Sequence, residues 1–157
     1  MLGLFKSDPF EDATLGRFER KKGYWRGRIS LPSAGSVELA VSGGRSAPDP
    51  DCLTAARDAA AVYERLRPRI AAELAEHRHN GLDEADPEAG RSPDASQIWD
   101  KVRILGVRVE PRASTSRGAL PTIVVEYQTE WDEEHTLGAV IEGETLIELN
   151  GSVLSVF

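Results

Sequence analysis

Apolar positions along this chain repeat at two periods, and the change between them divides it. From Tyr24 to Leu31 the repeat is two, with Trp25, Ile29 and Leu31 on one parity and Arg26, Arg28 and Ser30 on the other. That is the pattern of a half-buried strand. Pro32-Ser33-Ala34-Gly35 signals a turn, and Ser36 to Ser42 alternates again, with Val37, Leu39 and Val41 inward. Thr14 to Arg20 is a shorter strand candidate. Gly43 to Pro48 breaks the run, and Asp49-Pro50 opens a helix with an acidic cap and proline at its first position. The period then becomes helical: Leu53, Ala56, Ala60, Tyr63 and Leu66, continued by Ile70, Leu74 and His77. Pro68 interrupts it and either kinks the helix or opens a second one, and Asn80-Gly81 marks the stop.

Residues 81–93 hold almost no apolar side chains and read as a mobile acidic loop. Ser92-Pro93-Asp94 then caps a further short helix to about Val102, with Ile98, Trp99 and Val102 facing in. Strand periodicity returns with Leu105, Val107 and Val109. Arg112 to Gly118 is a polar loop. Thr122 to Trp131 is the strongest strand, with Ile123, Val125, Tyr127, Thr129 and Trp131 on one face and Glu126, Gln128 and Glu130 on the other. His135 to Ile141 and Thr145 to Leu149 follow, joined by a tight turn at Glu142-Gly143-Glu144. The expected class is α+β: a single domain over 1–157, a largely antiparallel sheet with helices packed on one face, in the order β-β-β-α-α-α-β-β-β-β.

Composition narrows this picture little. The chain has 157 residues, 40% hydrophobic and 29% charged, which is ordinary for a globular domain. No apolar run is long enough to span a membrane. Met1 to Asp8 lacks the basic and small-residue features of a secretory signal. With Cys52 as its one cysteine, no intrachain disulfide can form, which fits a cytoplasmic protein.

Charge changes more. The net charge is −7, but residues 1–47 carry 8 Lys/Arg against 5 Asp/Glu. Residues 48–102 carry 7 against 12, and residues 103–157 carry 4 against 9. The basic residues cluster at Arg17, Arg20, Lys21, Lys22, Arg26 and Arg28 and read as a solvated hairpin face. An acidic chain is a poor general nucleic-acid binder, and the partner it suits is a basic protein. Neither nucleic acid nor membrane is an expected partner.

Candidate chemistry is sparse. Trp131, Asp132, Glu133, Glu134 and His135 are the most concentrated group. A histidine among carboxylates can bind a divalent ion or move a proton. Consecutive strand residues point to opposite faces, however, so they converge only if a turn bends them together. The other reading makes Trp131 a core anchor and the acids a solvated turn. His77 and His79 are two apart on a helix and do not share a face. Cys52 lies in a first helical turn, where a thiol can be activated, but no base is apparent nearby. Ser42-Gly43-Gly44-Arg45-Ser46 lacks the spacing of a phosphate loop. No cofactor and no metal is expected, and the catalytic residues, if any, are unknown. Val153 to Phe157 is an apolar end that packs either on its own sheet or on a partner subunit.

Three stretches together resemble a group of bacterial proteins of unknown function. They are Tyr24-Trp25-Arg26-Gly27 opening a strand, Pro48-Asp49 opening a helix, and Trp131-Asp132-Glu133-Glu134-His135-Thr136-Leu137-Gly138. The group is marked by a W-D-x-E-H-x-x-G stretch in its C-terminal strands. The resemblance implies no activity and no catalytic residues; some similar small domains are regarded as immunity proteins for bacterial toxins. The expected function is a non-enzymatic protein-binding module, immunity-like, with Trp131 to His135 at the contact. The alternative is a small enzyme or a metal- or ligand-binding domain using Asp132 to His135.

Overall fold

The computed structural model describes residues 6–112 and 120–157. Met1 to Phe5 and most of the polar loop expected at Arg112 to Gly118 lie outside them. One eight-stranded sheet carries β1 (Phe10–Asp12), β2 (Gly16–Lys21), β3 (Tyr24–Leu31), β4 (Gly35–Ser42), β5 (Val102–Glu110), β6 (Thr122–Thr129), β7 (Thr136–Glu142) and β8 (Thr145–Val153) in chain order. Every neighbouring pair is antiparallel except β4 and β5, which run parallel. One long helix, α1 (Pro50–Asn80), spans that crossover. Among the described residues no helix is long and apolar enough to cross a membrane.

The expected α+β class with three helices is therefore incorrect: the sheet is mixed and, among the described residues, it carries a single α-helix. Pro68 neither ends α1 nor opens a new helix. Its ring sits on the exposed side, while Tyr63, Ile70, Ala71 and Leu74 are buried on the other side. Burial on both sides of the proline outweighs the roughly 3 kcal/mol that an interior proline costs. The helix expected from Ser92 to Val102 shrinks to one 3₁₀ turn, Ile98–Lys101. Ile98 is buried there, and Trp99 lies beneath the Arg67 guanidinium, 4.3 Å from its ring centre. Both are packed without a longer helix. At the N-terminus one strand was missed. β1 is three residues long, too short for any periodicity to show.

Local chemistry sets the ends. Lys22 and Gly23 both have positive φ, 52° and 82°, the backbone of a tight two-residue hairpin turn between β2 and β3. Asp49 caps α1 as expected, accepting from Asp51 N and Cys52 N at 3.0 Å. Gly81 closes the helix, its N–H donating to Arg78 O at 3.2 Å. Residues 83–91 form successive turns, with Asp83 and Asp86 accepting from Ala85 N and Glu88 N.

α1 covers one face of the sheet. Trp25, Leu39, Val41, Val107, Val109, Val125, Tyr127 and Ile141 point at it and are buried. Tyr127 donates its hydroxyl to that of Tyr63 at 3.0 Å in the middle of this core. The alternation expected for Leu105, Val107 and Val109 breaks at its first member. Register shifts between Ile104 and Gly106 leave Leu105 as the extra residue of a bulge. Ile104 and Val107 thus share the helix side, and Gly106 joins the opposite face.

Asp12 ties β1 to the helix. It accepts from Thr14 N, Leu15 N and the Arg57 guanidinium. The Arg57 hydrogen bond, partly opposed by burial, brings its carboxyl down from 3.8 to about 2. A depressed folded pKa means that stability is present above 3.8 and is lost as pH falls toward about 2. Asp12→Asn is expected to lower stability at neutral pH by about 2 kcal/mol. It should also flatten the pH dependence of the urea midpoint in that acid window. Glycine tolerance is a second check. A Cβ on Gly43 would stand 2.5 Å from Ala47 O and Pro48 Cα, both backbone atoms, whereas one on Gly44 meets nothing within 4 Å. Gly43→Ala should cost about 1–3 kcal/mol and Gly44→Ala less than about 0.5 kcal/mol, read from the same urea curves.

Candidate functional site

The expected strand to Trp131 stops at Thr129, and the five singled-out residues form the β6–β7 turn. Glu130 N donates to Lys101 O at 3.0 Å, which holds the strand end beside the 3₁₀ turn. The chain then doubles back. Trp131 packs against the core, and its indole N–H donates to His77 Nδ1 of α1 at 3.0 Å. An indole only donates, so His77 carries its proton on Nε2 in this contact. Asp132 closes the turn: Oδ1 accepts from His135 N at 3.2 Å and lies 2.9 Å from His135 Nδ1. The His135 hydrogen bond holds the Asp132 carboxyl below its ordinary range. Glu133, Glu134 and His135 remain exposed.

The structure therefore brings Asp132 and His135 together. Among the described residues no group of three or more His, Cys, Asp or Glu is placed to hold a metal ion. His77 is held by Trp131 and does not converge with His79. Cys52 is buried, and burial followed by Asp49 pushes its thiol up to about 12, far from a thiolate at neutral pH.

Consecutive residues at the end of α1 hold two acidic segments. His77 takes Trp131, and Arg78 pairs with Glu88 at 2.8 Å. The turn carrying Glu130, Asp132, Glu133 and Glu134 is thus set near the loop carrying Asp83, Glu84, Asp86 and Glu88. The basic hairpin lies elsewhere, around an open concavity of about 860 Å³ lined by Lys6, Arg17, Arg20, Lys21, Arg26 and Arg28 among others. Several of these cations are engaged within the fold: Arg17 with Glu19, Arg20 with Gly44 O, and Arg28 with Ser36.

Sequence reasoning missed a group on the face opposite α1. Glu126, expected on the polar side of β6, is fully buried. Its Oε2 accepts from the Ser155 hydroxyl at 3.0 Å, and its Oε1 lies 3.7 Å from Arg108 Nη2. Glu126 Oε1 and Arg108 Nε have no hydrogen-bond partner among the described residues, and Arg108 Nε lies 3.9 Å from Glu110 Oε1. Burial raises the Glu126 carboxyl above its ordinary value, while Ser155 and Arg108 oppose this. The signal in the sequence was the apolar stretch after Ser152, which packs on its own sheet and covers this glutamate.

A mixed sheet with one crossover helix places this protein in a class defined by its fold. A family model, a domain of unknown function (DUF6985), matches residues 14–154, and the chain belongs to that family. This agrees with the resemblance as far as a family of unknown function. No curated protein and no solved structure matches the chain.

Trp131→Phe keeps the ring and removes the indole donor. It should lower stability by about 1 kcal/mol. His77→Ala should add little to it, so a double-mutant cycle by urea unfolding should return a coupling of about 1 kcal/mol.

Proposed function

We propose that this chain is a protein-binding module rather than an enzyme, and that its acidic end meets a basic protein partner. The observation that carries the reading is the Trp131–His77 bond, which fixes the β6–β7 turn against the end of α1. Trp131 and Asp132 hold the turn from inside. Glu133, Glu134 and His135 are left outside to make contact. A preset acidic surface requires little ordering on binding and draws a cationic partner by long-range attraction. An immunity-like role, with a toxin as the basic partner, is the form of this reading nearest to the resemblance.

Capture from an extract of the native cells tests it. A basic protein should be retained at low salt and released as salt rises, since the attraction is screened over about 10 Å at 0.1 M. The exposed pair Glu133→Lys/Glu134→Lys should abolish that capture without changing the melting temperature. If no protein elutes with salt, or if the charge-reversed chain captures the same one, the reading is lost.

A further inference from the structure

Pairing between β4 and β5 is confined to Leu39–Val41 against Val107–Val109. β4 begins at Gly35 and β5 at Val102, so no ladder joins the first residues of the two strands. The cause lies in β5. Leu105 is the extra residue of a bulge, and a bulge bends its strand and interrupts pairing. The sheet splits there, and the split opens a cleft of about 390 Å³. Val37 of β4 and Val102 and Ile104 of β5 line it, with Tyr63 and Arg67 of α1 and Trp99 of the 3₁₀ turn on the helix side. Val37, Trp99, Val102 and Ile104 are only half-buried, so the cleft keeps an apolar lining that the fold does not cover.

Two polar groups in this cleft have capacity left over. Tyr127 donates its hydroxyl to that of Tyr63. Two phenols hold two protons and this contact uses one, so the Tyr63 O–H has no acceptor among the described residues. Tyr63 is only 1% exposed. Burial raises its phenol above the ordinary value, while the Tyr127 hydroxyl and the nearby Arg67 charge oppose this. It is therefore a neutral donor at physiological pH, and buried donors normally have a partner. The second group is Arg67. Its guanidinium lies over the Trp99 ring and enters no ion pair among the described residues. Glu64, one turn earlier on α1, is turned to Ser33, accepting from its N–H and its hydroxyl. Arg103 also borders the cleft, but Gln128 engages its guanidinium at 2.6 Å.

We propose that this cleft binds a small organic acid, with the carboxylate held by the Arg67 guanidinium and the Tyr63 hydroxyl and the hydrocarbon body against Val37, Val102 and Ile104. One uncommitted cation and one neutral donor match the single charge and two oxygens of a carboxylate. The half-buried valines and isoleucine suit a body without polar groups. The cleft lies apart from the acidic end and owes nothing to the reading of that end, so either idea can fail alone.

The probe is benzoate, titrated into the full chain by calorimetry and followed by NMR of the tryptophan indole N–H groups. It should bind saturably, with a dissociation constant of about 1 mM or below. The Trp99 signal should move, while those of Trp25 and Trp131 stay in place. Benzyl alcohol keeps the ring without the charge, and acetate keeps the charge without the ring; each should bind at least about tenfold more weakly than benzoate. Arg67→Gln and Tyr63→Phe should each weaken benzoate by about tenfold, with circular dichroism and a cooperative melt establishing that each variant is folded. Titration of the unaltered chain needs no variant: absence of saturation, or a Trp99 signal that does not move, overturns the proposal. Equal affinity for benzoate and benzyl alcohol, or undiminished affinity in the folded Arg67→Gln chain, overturns it as well.

Discussion

The parallel contact between β4 and β5 is the constraint on which the rest of this molecule depends. Antiparallel neighbours can be joined by a few residues, but a parallel pair needs a connection that returns the chain to its starting end. Here that connection is α1 with its following loop. Because the crossover is a helix with one apolar side, it covers one face of the sheet and creates the core there. Because only one such helix exists among the described residues, the opposite face has no second layer. The buried Glu126 and the segment laid across it belong to that exposed side of the architecture.

Much of the sheet was legible in the sequence because its strands alternate. β3 was read at its observed limits, and Leu39, Val41, Val107, Val109, Ile123, Val125 and Tyr127 face the core as their parity indicates. The helix start at Asp49-Pro50 and the stop at Gly81 were legible because capping is local chemistry. The failures arose where a tertiary contact overruled a local signal. Pro68 looks like a break, but the residues on both sides of it are anchored in one core. Ser92-Pro93-Asp94 looks like a cap, but the chain behind it needs only one turn to bury Ile98. The parallel seam itself leaves no mark in the sequence, since periodicity does not specify which strands pair.

The site divides in the same way. Trp131 to His135 stood out by composition, and the expectation that Trp131 anchors a turn agrees with its place against the core. Its bond to His77 could not be anticipated, because the two residues come together only when the end of α1 meets the end of β6. Glu126 was read as an outward residue, and by parity it does point away from the helix. Its burial comes from a segment that lies far along the chain and across the strands.

The β4–β5 seam has a further consequence for the entropy of the chain. Seven strand pairings build the sheet, and six of them join neighbours in sequence through short or moderate connections. The ordering of distant segments within the sheet is thus concentrated in a single contact, Leu39 to Val41 against Val107 to Val109. Loop-closure entropy grows only slowly with length, so one long closure costs less than several intermediate ones would. The two meanders, β1–β4 and β5–β8, are each local in contact, and one event of long reach joins them into a continuous surface.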